Sequence, residues 1–221
     1  MSAVRDLVIF GAGGLGRETA AWLCDVERSG ASLRLRGFVV EDEKLHGQRV
    51  DDLEVLPGVA GLVRMGYDGA VAIAVGDPGL AHTIRAQICD AGLELERPVL
   101  IHPSVVLDPS RVSLAAGCLI APGAILATGV SLGEDVFVNT AACLSHDVMV
   151  GSHTRIHPRA LLCGGVQVGE RALIGAASAV MQYKRVGDAA QVAMGAIVGA
   201  DVPSGAVAAG NPARIVRRAA A

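Results

Sequence analysis

The sequence is poor in aromatic residues, with three Phe, two Tyr and one Trp among 221 residues. That leaves too few to build the stacking platforms that single-stranded nucleic acids need. Charge of either sign is also thin: 19 Lys and Arg against 22 Asp and Glu leave a net charge of −3, with no basic cluster. Neither nucleic acid nor an anionic membrane surface is an expected partner. No apolar run approaches the roughly 18 residues that a membrane-spanning helix needs. No charged lead with an apolar core and a cleavage site opens the chain, so a cytoplasmic protein is expected. The five Cys, at positions 24, 89, 118, 143 and 163, include no CxxC pair. They read as small buried or turn residues in a reducing compartment, and no metal site is expected.

What is abundant is aliphatic: 52% of the chain is hydrophobic, in short alternating units. From Leu114 every sixth residue is aliphatic, through Ile120, Leu126, Leu132, Val138 and Leu144 to Val192 and Val198, without a break. Four residues after each comes a small or β-branched residue, such as Cys118, Ala124, Val130 or Ala142, with Lys184 as the interruption. Gly, Asn, Ala or Ser usually follows the aliphatic residue, as at Gly133, Asn139, Gly151 and Gly187. A period of six is neither helical nor a plain alternation. It marks a solenoid of flat two-sided strands joined by turns, three hexads to a triangular coil, with the aliphatic residue inside. Residues eighteen apart then stack on one another at the strand spacing of about 4.8 Å. Gly or Asn after the aliphatic residue suits a tight turn. Lys184, in Met181-Gln182-Tyr183-Lys184-Arg185, predicts a bulged corner.

This stretch, with the exit Asp201-Val202-Pro203-Ser204-Gly205 to Gly210-Asn211-Pro212-Ala213-Arg214, resembles the hexapeptide-repeat acyltransferases. The resemblance implies a left-handed parallel β-helix; ordinary parallel crossovers are right-handed.

Upstream, Leu7-Val8-Ile9-Phe10 fits a buried parallel strand. It runs into Gly11-Ala12-Gly13-Gly14-Leu15-Gly16, followed by a helical stretch from Arg17 to about Arg28. Strand, GxGxxG and helix together bring backbone N–H groups to a phosphate at a helix start. A tight strand-to-helix turn without a ligand uses the same residues. A second strand, 33–40, ends at Glu41 and Asp42, at the spacing where dinucleotide folds place a ribose-binding acid; solvated turn charges fit equally. Residues 43–57 read as a polar loop. A third strand, 70–75, ends in Gly76-Asp77-Pro78 and precedes a helix from about Gly79 to Asp90. Residues 98–101 approach the solenoid, with His102-Pro103-Ser104 as its first turn. The expectation is an α/β, Rossmann-like domain of three or four strands over 1–97, followed by a β-helix over 98–221.

A small nucleotide-binding fold ahead of such a solenoid is similar to the nucleotide-aminosugar and sialic acid acetyltransferases. That resemblance covers the whole chain. It implies acetyl-CoA as co-substrate, a nucleotide-sugar on the N-terminal domain and a homotrimer with sites between subunits. Gly11, Gly13, Gly14, Leu15, Glu41, Asp42, Gly76 and Asp77 are the expected nucleotide-sugar contacts. In Asn139-Thr140-Ala141-Ala142-Cys143-Leu144-Ser145-His146-Asp147 the resemblance makes His146 the general base and Asp147 its orienting partner. Physically, an amine attacking a thioester must lose a proton, and an imidazole titrates near the working pH. Adjacent residues on a flat strand point to opposite faces, so the two can pair only at a corner. Gly164, eighteen residues on, stacks over His146, and the resemblance implies an oxyanion N–H there. The family's second His falls at Arg155, so Arg155 or the neighbouring His157 is expected at the cofactor. Ala176 and Met194 are expected along the pantetheine. His46 and His82 read as incidental.

Three other functions compete. An O-acetyltransferase on a sugar or sialic acid would use the same base. A zinc enzyme of the carbonic-anhydrase type would need His146, His153 and His157 to converge, though they occupy different places in their hexads. An NAD-dependent oxidoreductase would leave the β-helix without a purpose.

Overall fold

The computed structural model describes residues 4–217; the outermost limits of the two expected domains, at 1 and 221, lie outside the described residues. The chain opens with β1 (Arg5–Phe10), α1 (Gly14–Arg28) and β2 (Leu33–Val40). A short 3-10 turn (Glu43–Leu45) leads to β3 (Arg49–Val50) and β4 (Leu53–Pro57). Then come α2 (Val59–Met65), β5 (Ala70–Ile73) and α3 (Pro78–Asp90). The sheet order is β3-β4-β2-β1-β5, parallel except for β3. The polar stretch expected as a loop over 43–57 thus contributes two strands, giving five in all. Its alternation is short, and only Val55 is buried, so the pattern carries little periodic signal.

β1 is buried on both faces. Leu7 and Ile9 face α1, while Val8 and Phe10 face α2 and α3. A strand with helices against both faces has no polar side to display, hence the unbroken apolar run.

From β6 (Leu100–Ile101) onward the chain winds into a triangular prism. Fifteen two-residue strands, from Ser113–Leu114 to Ile197–Val198, form five coils. They stack in three parallel sheets with an eighteen-residue register, as in Ser131 opposite Met149 and Phe137 opposite Arg155. Short parallel strands in this pattern fit a left-handed β-helix. The second residue of each strand points inward: Ile120, Leu126, Leu144, Ile156 and Val180 are all at most 2% exposed. The chain leaves along Val207–Gly210 and folds back antiparallel as Ala213–Arg217, covering the edge.

One residue per corner is left-handed, at 117, 123, 129, 135, 141 and 147 and every sixth thereafter to 195, with φ between 52° and 78°. Some are Gly, but Asp135, Asp147, His153 and Tyr183 hold the same conformation. The glycines directly after the aliphatic positions are needed for another reason. A Cβ on Gly133, Gly151, Gly169 or Gly187 would collide with the backbone of the next coil. Close approach between coils, rather than a tight turn, explains them. Lys184 does not bulge the corner: the Tyr183 N–H still donates to the Gly164 carbonyl, and Gln167 N–H to Lys184, both at 3.0 Å. A long stem can occupy a narrow corner while its ammonium reaches water.

The three faces differ in what they present. The first residues of the strands on one face are Leu119, Phe137, Arg155, Leu173 and Gln191; the first three are buried against α1 and the five-stranded sheet. A second face carries Ser113, Ser131, Met149, Gln167 and Arg185. The third carries Ile125, Cys143, Leu161, Ala179 and Ile197, an outward column with no polar side chain. Of the cysteines, Cys118 is buried, whereas Cys24 and Cys89 lie exposed on α1 and α3. No described helix is long and apolar enough to cross a membrane.

Candidate active site

His146 and Asp147 occupy the corner between the apolar face (Cys143–Leu144) and the polar face (Met149–Val150). Asp147 is that corner's left-handed residue, with φ 60°. On a flat strand the two side chains would point apart; the left-handed residue turns the backbone and brings them together. His146 Nδ1 lies 3.0 Å from Asp147 Oδ2, with both side chains more than half exposed. A carboxylate at Nδ1 fixes the proton on that nitrogen and leaves Nε2 with its lone pair. Nε2 faces Gly164, where a Cβ would collide with the ring. The ladder uses the Cys163 and Gly165 amides on either side, bonded to Val180 and His146 carbonyls. Gly129, one coil back from Asp147, leaves room for its carboxylate in the same way.

A second locus lies where the N-terminal sheet meets the prism. The chain passes from β1 to one side of the sheet and returns to β5 on the other, so the crevice between their carboxyl ends is a topological switch point. Its walls are the turn after β1 and the turn after β5. A cavity of about 140 Å³ there is lined by Leu15, Gly76, Phe137, Asn139, Arg155 and His157. The glycines of the first turn divide into two kinds. Gly11 has φ 107° and Gly16 would drive a Cβ into the Gly11 carbonyl, so the chain itself requires both. Gly13, Gly14 and Gly76 have no atom within 4 Å of a Cβ position. Gly13 also starts α1 without a side-chain cap and with no acid in the first turn, which leaves helix N–H groups unanswered.

The acidic residues expected at the nucleotide are occupied elsewhere. Glu41 accepts a hydrogen bond from Val59 N–H at 2.9 Å and packs over Gly58, capping α2. Asp42 caps the 3-10 turn through Lys44 N–H, and Asp77 caps α3 through Leu80 N–H at 2.8 Å. Each answers an unpaired N–H at a helix start, a role that an acid at the same spacing also fills.

His153 and Arg155 are buried at the seam with the N-terminal sheet and helices, and His157 is half-buried beside them. His153 is 8% exposed, its ring edge-on to His82 at 5.0 Å and its Nδ1 without a hydrogen-bond partner, 3.8 Å from the Asp135 carboxylate. Burial lowers its pKa. His82, incidental by sequence, is therefore part of the contact between α3 and the prism. Arg155 is buried, with its guanidinium spent on backbone carbonyls. The expectation that it meets a cofactor is corrected on that ground. His157 lines the crevice beside Gly76, where burial lowers its pKa. Sequence reasoning missed this because the periodicity does not tell which prism face the N-terminal unit covers.

His146, His153 and His157 occupy three different corners of the prism, so they do not converge on one ion. No group of three metal-ligating side chains comes together among the described residues. Ala176 and Met194 stack on each other at the edge of the apolar face opposite His146, with the Gly195 N–H bonded to the Ala176 carbonyl and Met194 76% exposed.

The acetyltransferase domain of PglB from Neisseria gonorrhoeae FA1090, solved with acetyl coenzyme A, superposes with a TM-score of 0.84 at 29% identity, over 96% of this chain and 99% of that one. PerB from Caulobacter crescentus, solved with CoA and GDP-perosamine, gives 0.83 at 28% identity, over 96% and 98%. The chain has the fold of the hexapeptide-repeat N-acetyltransferases. WeeI from Acinetobacter baumannii AYE shares that fold at 23% identity, with a TM-score of 0.81 over 95% of this chain and 99% of that one. No protein-family model matches the sequence, and no curated protein matches it.

Proposed function

We propose that the protein is an acetyl-CoA-dependent N-acetyltransferase acting on the amino group of a nucleotide-linked amino sugar. The observation that carries this is the His146–Asp147 pair, held at a prism corner with Nε2 open under a side-chain-free Gly164. Among structures of the same fold, the PglB domain holds acetyl coenzyme A, and PerB holds CoA and GDP-perosamine.

The chemistry follows from the geometry. As the amine attacks the acetyl carbon, a C–N bond forms and the nitrogen becomes cationic. His146 Nε2 takes its proton, and Asp147 stabilises the resulting imidazolium. The carbonyl oxygen gathers negative charge, and a hydrogen bond donated by the Gly164 N–H stabilises it in this reading. The C–S bond then breaks, and the proton passes to the leaving thiolate.

In this reading residues 1–97 form a Rossmann-like domain that binds a UDP- or GDP-linked 4-amino sugar, and residues 98–221 are the left-handed β-helix that carries the transfer. Gly13, Gly14 and Gly76, whose Cβ space is open, favour close approach of a ligand to the backbone there. Leu15 lines the same crevice.

The assembly is a homotrimer. The crevice, with Asn139 and His157, sits at one edge of the apolar face and His146 at the other. Six residues of strand span roughly 20 Å, too far for His146 to serve the crevice of its own subunit. Packing the apolar column against a neighbouring prism would bring a second subunit's base to it and leave a cleft for pantetheine, with Ala176 and Met194 on its border. An acetyl-CoA donor and unpaired thiols fit a cytoplasmic enzyme of surface-glycan synthesis.

The test is release of free thiol from acetyl-CoA across a panel of UDP-, GDP- and dTDP-linked 4-amino sugars. At least one should be turned over, and His146→Ala should lower kcat by about 10²–10⁴-fold while both substrates still bind. Near-normal kcat in that variant would remove the assignment of the base.

A further inference from the structure

Arg155 is the bulkiest fully buried side chain among the described residues, 2% exposed. All of its hydrogen bonds go to main-chain carbonyls: Nε–H to Val75 at 2.8 Å, one terminal nitrogen to Asp135 at 2.5 Å and the other to Ile73 at 3.4 Å. Among the described residues no carboxylate forms an ion pair with it. Burial pushes its pKa down to about 10, opposed by the Asp135 and Asp77 charges, so it stays cationic at neutral pH. Burying a charge without a direct counter-ion is costly, and an apolar side chain of similar volume would fill the space with less desolvation.

The position of the carbonyls explains the charge. β5 is the edge strand of its sheet and pairs with β1 along one side only. On the other side its start is met by Glu96, but no strand continues past it. Ile73 and Val75 alternate with Ala72 and Ala74, so their carbonyls point to that open side, where they would be buried and unpaired. Two donors of Arg155 stand in for the missing strand at Ile73 and Val75, and the third anchors the guanidinium to the Asp135 carbonyl of its own prism. One residue beyond Val75 is Gly76, which lines the crevice together with Arg155 and His157.

We propose that Arg155 is a positioning residue for the nucleotide sugar: by capping the Ile73 and Val75 carbonyls it fixes the Gly76–Asp77 wall of the crevice to the prism. This rests on the acceptor site described above. It assigns Arg155 to the acceptor rather than to acetyl-CoA.

The test compares Arg155→Met and Arg155→Lys with wild type in steady-state kinetics, varying a nucleotide-linked 4-amino sugar that the wild type acetylates and, separately, acetyl-CoA. KM for the amino sugar should rise about 10–100-fold in Arg155→Met, the loss expected of a charge-assisted hydrogen bond. The rise should be smaller in Arg155→Lys, which keeps the charge but cannot reach three carbonyls at once. KM for acetyl-CoA should stay within about twofold of wild type and kcat within about threefold. A merely structural Arg155 would lower the melting temperature and leave the two KM values alone or raise them together; either result overturns the proposal. Amide hydrogen exchange over 74–77 separates this from failure of the acceptor assignment, because it needs no substrate. It should quicken in Arg155→Met, and unchanged exchange there refutes the positioning role even if no amino sugar is turned over. Should Arg155→Met not fold, Arg155→Lys carries the same two measurements.

Discussion

Gly164→Ala is the sharpest perturbation of the candidate base, because it adds one methyl group and removes nothing. The backbone of Gly164 is not left-handed, so Ala adopts it without strain. The added Cβ would overlap only His146 ring atoms, Nε2 and Cε1 closest. The ring belongs to a side chain 53% exposed, free to swing toward solvent. The stability change should therefore lie within about 1 kcal/mol of zero, aided by the lower chain entropy of Ala in the unfolded state. Turnover is another matter. Swinging the ring breaks the 3.0 Å contact with Asp147 and carries Nε2 away from its place under residue 164. The loss in kcat should approach that of deleting the base, about 10²–10⁴-fold. The Ala N–H remains, so an oxyanion contact is retained, and the double variant His146→Ala/Gly164→Ala should be no slower than His146→Ala alone. Thiol release at saturating substrates, with a thermal melt of each variant, measures both sides. A Gly164→Ala enzyme turning over within about threefold of wild type, with an unchanged melt, would show that the imidazole does not need the space it occupies.

Gly16→Ala should destabilise the fold by about 1–3 kcal/mol, because its Cβ meets the Gly11 main chain. Gly13→Ala, with open space around it, should leave the melt nearly unchanged and weaken nucleotide-sugar binding in calorimetry; equal loss of acetyl-CoA binding would count against the site. His153 is held neutral by burial, with Asp135, Glu134, His82 and Arg155 around it, and its pKa is lowered from 6.5. The unfolded chain thus binds more protons below that pH, so stability should be full above about pH 6.5 and fall as pH drops through the window beneath it. His153→Gln should flatten the decline in melts between pH 5 and 8, and an unaltered slope would clear His153 of the effect. Leu161→Asp, on the outward apolar column, should yield a folded monomer in sedimentation equilibrium with little activity; an active trimer would refute that face as the interface.

Most of the architecture was legible in the sequence because it is local and repeated. A six-residue period fixes strand, turn and inward face together, and the eighteen-residue stacking follows from three hexads per coil. The His146–Asp147 pair was legible up to its geometry. Its identity lay in the chain, but whether neighbours on a strand can meet depends on one left-handed residue at 147, which no residue type announces. The strands over 49–57 were hidden by their brevity and by facing solvent on one side.

Other features were decided by tertiary packing alone. Glu41, Asp42 and Asp77 have the spacing of nucleotide ligands and the chemistry of helix caps, and only the folded chain shows their carboxylates turned to helix N–H groups. Arg155 and His157 stand at ordinary hexad positions, and nothing in the period tells which prism face is covered. Once the N-terminal sheet lies on that face, a residue one would place at a cofactor becomes the missing neighbour of an edge strand. Repetition determines a solenoid from sequence because each coil meets only the next. The contact between two unlike units has no repeat to encode it, so the residues at that seam take their meaning from the structure.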